Sequence, residues 1–328
     1  MTDTTEVTDP FEQALADLRV EGCVVLHDAY GAPWAIDVPS AAELRPLLGA
    51  APDVHVVPFH LVREGAFELR VAGAGNHPVG HREVAICAGG QAHRMQRGEP
   101  MTACSLASIL AGSGPAPAAG DSGARTMLVC GVFMLRATPT NPLLLALPAV
   151  MTLPTDDEAS APMLVHATEM LMLELQRTDL ANGSFAAARI LELFCAEALR
   201  AYQAEAADRV GWFGGLADPK VGQALALVHA DPGHRWSVPV LAGRVALSPS
   251  RFAARFRERV GESVGAYLTR WRMTVACRLL TDTEDSIAGI AERSGYGAVS
   301  SFTRAFSASL GIPPAEWRRR ARRSSAPL

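Results

Sequence analysis

The chain lacks a long hydrophobic run. None of its apolar stretches reaches the roughly 18 to 20 residues that a membrane-spanning helix needs. It also lacks a secretory start: the first twenty residues are acidic, with neither a basic beginning nor an apolar core. The expected compartment is therefore the cytoplasm. None of the six cysteines (Cys23, Cys87, Cys104, Cys130, Cys195 and Cys277) falls in a C-x-x-C pair, which argues against a structural zinc site. In a reducing compartment they are expected to be free thiols, most of them small core residues. Lysine is scarce: the only one from residue 219 onward is Lys220, so that region's positive charge is arginine.

What is present is a chain of 328 residues, 49% hydrophobic and 20% charged, long enough for two or three domains with real cores. Its net charge of -4 hides a division. Residues 219–328 hold 17 basic and 8 acidic residues, whereas residues 1–218 hold 13 and 26. An acidic front joined to a basic back implies that only the back meets a polyanion.

The pattern changes along the chain in the same way. Residues 1–20 read as a polar, disordered N-terminus. From 21 to 150 short strands alternate with turns: His55 to Val62 is β-rich, and Phe67, Leu69 and Val71 alternate with Glu68 and Arg70. Val84 to Cys87 and Thr126 to Leu135 are further strands, and the spacing suggests a β-barrel or sandwich. Residues 98–125, centred on GSGPAPAAGDSG, read as a mobile insertion. Residues 156–210 form a helical hairpin, with Leu164, Ala167, Leu171 and Leu175 on one stripe and Ile190, Phe194 and Ala198 on the other. That stripe either packs on the barrel or forms a homodimer seam. GWFGGLAD, residues 211–218, is a Gly-rich linker. Seven helices and no strands are expected after it. The fold class is multidomain α+β.

The all-α back holds one pattern written twice. LAGRVALSPSRFAARFRERVGESVGAYL starts at Leu241, and IAERSGYGAVSSFTRAFSASLGIPPAEW starts at Ile290. A shift of fifty places Phe252, Phe256, Val260, Gly261 and Tyr267 on Phe302, Phe306, Leu310, Gly311 and Trp317. Upstream the shift is forty-nine, so the second turn gains one residue. Each copy is a short helix, a turn and a longer helix ended by glycine, the order of a helix-turn-helix (238–260 and 287–310). In that motif the second helix enters the major groove. The phenylalanines face inward, leaving Ser250, Arg251, Ala253, Ala254 and Arg257 outward in copy one, and Ser300, Ser301, Thr303 and Arg304 in copy two. Arg304 has the fork that binds guanine O6 and N7. Ala253 and Ala254 can touch a thymine methyl but make no bidentate bond, so Arg251 and Arg257 are expected on phosphates and copy two to read more sequence.

Residues 219–322 resemble the DNA-binding domain of the AraC/XylS family of bacterial transcription regulators, carried most specifically by IAERSGYGAVSSFTRAFSASLGIPPAEWR. The resemblance implies two helix-turn-helix units joined by one long helix, promoter DNA as partner, RNA polymerase as a further partner of a transcription activator, and a homodimer. Trp317 stands where tyrosine is usual. FHLVREGAFELRV and REVAICAGGQAHRM are similar to the cupin-like sensor of one branch of that family, over about residues 20–150.

Metal cupins take His and Glu ligands from two strands. His60 and His93 stand at corresponding positions and Glu64 is close by, but the full first motif is absent, so neither a metal, a cofactor nor a catalytic residue is assigned. A paired, hydrogen-bonded couple of histidines is the favoured reading. Oxidant-responsive regulators of this branch carry cysteines in settings like those of Cys23 and Cys130, which implies redox sensing through that pair, with Cys87 and Cys104 as alternatives. A small ligand in the barrel, a metal-dependent cupin enzyme fused to a DNA-binding domain, and an architectural DNA binder are the rival readings.

Overall fold

A computed structural model describes residues 9–99, 102–111, 113–114, 125–177 and 184–324. The chain divides into two compact units, one of residues 19–136 and 147–202, the other of 1–18, 137–146 and 203–328.

In chain order the first elements are α1 (Pro10–Ala16), β1 (Arg19–Gly31), β2 (Trp34–Val38), α2 (Ala41–Leu47), β3 (His55–Glu64), β4 (Phe67–Val71), β5 (Gly75–Val79), β6 (Glu83–Ile86), β7 (His93–Arg97), β8 (Cys104–Ser105), α3 (Leu106–Leu110) and β9 (Arg125–Arg136). There follow α4 (Pro142–Ala146), β10 (Met151–Pro154), α5 (Pro162–Arg177), α6 (Phe185–Glu205) and α7 (Trp212–Ala217).

Two five-stranded sheets build the first unit, in the orders β1-β9-β3-β6-β10 and β5-β4-β7-β2-β8. Their facing sides share one core, to which Leu128, Cys130 and Val132 contribute from one sheet and Ile36, Leu69 and Met95 from the other. β3 and β9 are apolar almost throughout because both their faces are covered. Val56, His60 and Val62 point between the sheets, while Phe59 points outward and stacks on Phe133 at 4.6 Å, with Phe194 of α6 at 6.0 Å. The helix lies close there: a Cβ on Gly22 would stand 2.6 Å from Leu191 Cβ. Phe194 is therefore spent on the barrel, and Leu164, Leu171 and Ala198 of the same hairpin are buried. The exposed apolar side chains of α5 are instead Met163, Met170 and Leu173.

The second unit holds α8 (Pro219–Ala230), α9 (Val238–Arg244), α10 (Pro249–Val260), α11 (Val264–Asp282), α12 (Ile287–Arg293), α13 (Val299–Leu310) and α14 (Pro314–Ser324). Several starts have a local cause. Asp218 accepts the backbone N–H groups of Lys220 and Val221 at 3.0 Å, Ser248 caps α10 and Ser263 caps α11. Gly261 and Gly311 end α10 and α13 in the left-handed conformation, at φ 86° and 75°.

Three sequence expectations are corrected here. Residues 1–8 lie outside the described residues, but residues 9–20 are not a disordered tail: Asp9 caps α1, and Phe11, 1% exposed, stacks on Trp212 at 6.4 Å. Residues 211–218 are not a plain linker, because α7 buries Trp212, Phe213, Gly214 and Gly215. The segment 137–146, expected within the barrel, packs with the reader: Asn141 donates to Ala14 O at 3.0 Å, and the Thr274 hydroxyl of α11 donates to Thr140 O at 2.8 Å. In the insertion 98–125, β8 and α3 are described, and most of GSGPAPAAGDSG lies outside the described residues. So does the expected turn at Asn182-Gly183.

Tyr267 of α11 ties these parts together. Its hydroxyl accepts from Trp212 Nε1 at 3.0 Å and donates to His229 Nε2 at 2.6 Å, while His229 stacks on Trp271 at 3.7 Å. Burial, with help from Arg270, pushes the His229 imidazole down to about 3. The unfolded chain therefore binds a proton between that value and about 6.5 that the folded chain refuses, so stability is full above pH 6.5 and falls as pH drops. The expected slope from this group is about 1.4 kcal/mol per pH unit. His229→Gln, which can still accept from Tyr267, should flatten the change between pH 7 and 5 in urea-unfolding midpoints; an unchanged slope would count against the assignment.

Candidate nucleic-acid interface

The two helix-turn-helix units are built by the same contacts. Phe252 and Phe256 sit 5.9 Å apart and are buried, with Phe256 at 5.8 Å from Tyr267. Phe302 and Phe306 sit 5.7 Å apart, with Phe306 at 6.0 Å from Trp317. Trp317 thus fills the place that Tyr267 fills in the first unit. The turns match too: Ala246 (φ 55°) and Gly295 (φ 80°) occupy the same left-handed position, forty-nine residues apart. Alanine there carries a steric cost of about 1–2 kcal/mol that glycine escapes.

With three inward residues fixed on α10, its four arginines divide. Arg255 holds both oxygens of Asp218 at 2.9 Å from Nε, and Arg259 reaches the same carboxylate at 3.4 Å. Asp218 is 1% exposed; burial raises its pKa, but the Arg255 bond and the two capped N–H groups outweigh that and hold the carboxyl below the usual range. Arg251 and Arg257 are exposed and make no hydrogen bond or ion pair among the described residues. The outward side of α10 is Ser250, Arg251, Ala254 and Arg257, with Ala253 half-buried. On α13 Ser300, Ser301 and Arg304 are exposed and Thr303 is half-buried. Arg304 is likewise free of partners among the described residues. Seven of the nine sequence-expected residues are thus exposed on α10 and α13, and Ala253 and Thr303 are half-buried.

Two exposed cations were not singled out by apolar spacing. Arg244 ends α9, the helix before the first turn, and Arg235 lies in the loop before it; neither has a partner among the described residues. A terminal arginine next to an alanine-rich outward face was the available signal. Most other arginines of this unit are engaged, including Arg293 with Asp285, Arg278 with Asp17 and Arg270 with Glu262.

In the barrel unit, Cys23 stands opposite Val132, and Cys130 stands opposite Leu26 with a bulge between. Both face the core, but as diagonal neighbours on β1 and β9 rather than a direct pair. Diagonal positions are about 7–8 Å apart, past the separation of about 7 Å that a disulfide bridges without backbone movement. Burial raises the thiol pKa of Cys23, and burial with Cys87 nearby raises that of Cys130. His60 and His93 do meet, Nε2 to Nε2 at 2.8 Å. Glu64 is exposed and does not join them. Cys87 does, with Sγ at 3.9 Å from His93 Nε2.

Comparison with known proteins agrees with this division. Residues 9–204 match the family described as cupin, and residues 241–320 match the family described as helix-turn-helix domain. The chain is 30% identical over 322 residues to a putative AraC-like transcription regulator of Streptomyces antibioticus, covering 95% of this chain and 98% of that protein. It is 29% identical over 198 residues, 60% of this chain and 69% of the other, to the RCS-specific transcriptional activator RclR of Escherichia coli. Among solved structures, the DNA-binding domain of AdpA in complex with a target DNA is 30% identical, with a TM-score of 0.32, covering 33% of this chain and 99% of that one. No helix of the described residues is long and apolar enough to cross a membrane. The chain belongs to the AraC-like transcription regulators, with a cupin domain in front of a helix-turn-helix DNA-binding domain.

Proposed function

We propose that this regulator reads a promoter site through α10 and α13, with α13 carrying more of the sequence discrimination. The observation that supports the reading is the free, outward Arg304, set among Ser300, Ser301 and Thr303 over a fully buried Phe302–Phe306 seam. α11, 19 residues long, separates the two readers as a spacer of about 28 Å. Arg251, Arg257, Arg244 and Arg235 supply phosphate contacts, which set affinity and register rather than sequence. The working form is a homodimer, in which the exposed Met163, Met170 and Leu173 of α5 offer the seam, and RNA polymerase is the partner at the promoter. The cupin domain acts as sensor rather than as an enzyme.

A second reading of the signal, an oxidant such as hypochlorite, rests on Cys23 and Cys130, which share one face of adjacent strands. Their oxidation would join the two sulfurs, send out two protons and two electrons, and reduce hypochlorous acid to chloride and water.

Arg304→Ala should weaken binding to the best operator by about 1–3 kcal/mol and relax one base position. Arg251→Ala and Arg257→Ala should weaken all sequences alike and lower the salt slope by about 1 each. Binding titrations on randomised duplexes at several salt concentrations decide it; an equal loss at every sequence for Arg304→Ala would contradict direct readout. For the signal, Cys23→Ser and Cys130→Ser should each lose promoter induction by hypochlorite, and full induction in both would eliminate the thiol pair.

A further inference from the structure

His60, Cys87 and His93 take no part in DNA reading, yet three separate elements deliver them to one point. His60 comes from the middle of β3, Cys87 from the turn just after β6, and His93 from the first residue of β7 in the opposite sheet. All three are buried, at 2%, 1% and 5% exposure, beside a core of Leu, Val, Ile and aromatic side chains. Their ligand atoms lie within 4.8 Å of one another.

Packing alone does not account for this set. Two imidazoles and a thiol in an apolar core forfeit hydration that only hydrogen bonds can replace. His60 Nδ1 is buried with no partner. Apolar side chains of similar volume would avoid that loss.

The orientation of the rings is specific. His93 Nδ1 lies 2.9 Å from the Gln91 carbonyl and must donate to it, so His93 Nε2 carries a lone pair turned into the cluster. This is the backbone bond that orients metal-bound imidazoles. His60 Nε2 then supplies the single proton between the two rings, 2.8 Å from its acceptor. Around a tetrahedral ion, with bonds of about 2.0–2.3 Å, ligand atoms stand about 3.3–3.7 Å apart. The observed 2.8 Å and 3.9 Å need changes of only about half an ångström to reach that range.

The donor set selects the ion. No carboxylate joins it, since Glu64 is exposed. Two nitrogens and one sulfur suit thiophilic ions and disfavour magnesium, calcium and manganese. Cys130 pairs with His60 across the β3–β9 ladder and points to the same side, but its Sγ lies outside the group of ligand atoms within 4.8 Å of one another.

We propose that His60, Cys87 and His93 bind one thiophilic metal ion, zinc or cuprous copper, inside the cupin domain, with Cys130 the thiol that a side-chain shift would bring in as the fourth ligand. This set replaces the carboxylate of the metal cupins with a thiolate. Binding releases the Cys87 proton to solvent and moves the shared imidazole proton from His60 Nε2 to Nδ1; the fourth ligand releases a second proton. The site does not depend on how DNA is read.

The test uses the full-length protein, stripped by a chelator under reducing conditions and loaded in turn with zinc, cuprous copper and, as a spectroscopic probe, cobalt. One equivalent should bind, and cobalt should give thiolate charge-transfer absorption. Competition with chelators of known affinity separates zinc from copper. Cys87→Ser should abolish the charge-transfer band or reduce it to the Cys130 contribution, and His60→Gln or His93→Gln should weaken binding by at least about tenfold. Cys130→Ser should lower the band intensity, while Cys104→Ser should change neither measure. X-ray absorption at the zinc edge of the loaded wild-type protein, which needs no variant to fold, should show two nitrogens and at least one sulfur. A stripped, cooperatively melting wild-type protein that takes up no stoichiometric ion, or a full band in Cys87→Ser, would overturn the site.

Discussion

The second unit depends on one constraint, the burial of aromatic pairs at helical spacing. Phe252 and Phe256 are buried beside Tyr267, and Phe302 and Phe306 beside Trp317. Each fully buried ring contributes about 1.5–3 kcal/mol, so rotating either reader helix about its axis would cost several such terms. That rigidity fixes what remains outside. Arg251, Arg257 and Arg304 face solvent because no rotation of α10 or α13 that hides them keeps the phenylalanines buried. Asp218 reinforces the choice on α10 by holding Arg255 and Arg259, leaving the other two arginines free.

The parts of the fold governed by local periodicity were legible in the sequence. The duplicated Phe-x-x-x-Phe pattern, the serine caps and the terminal glycines give the reader helices nearly residue by residue. α1 and α7 escaped because their burial is tertiary: Phe11 and Trp212 stack on one another from places about two hundred residues apart, and nothing local announces it. Likewise the glycines of α7 look like a flexible joint until close packing explains them; a Cβ on Gly215 would meet Val260 at 2.6 Å. Short edge strands such as β8 and β10 carry too few residues to show a period.

The barrel was half legible for a similar reason. The likeness to metal cupins singled out His60 and His93, and the two do meet. Cys87 stands in the sequence only as an alternative redox cysteine, because convergence across two sheets leaves no one-dimensional spacing to join it to the histidines. Glu64 is near in sequence, but beyond the register shift after Val62 it turns outward. The barrel and the reader thus follow one rule: a polar group is informative where packing holds it in a place that packing itself does not require.

The central claim is that two readers, held by one rigid helix, enter two successive major grooves on the same face of a duplex. Hydroxyl-radical footprinting of the full-length protein on a selected operator tests it most directly. The account predicts, for each protomer, two protected segments about one helical turn apart, roughly 10 base pairs, on one side of the DNA. A single protected segment per protomer, or two segments half a turn out of phase, would contradict it.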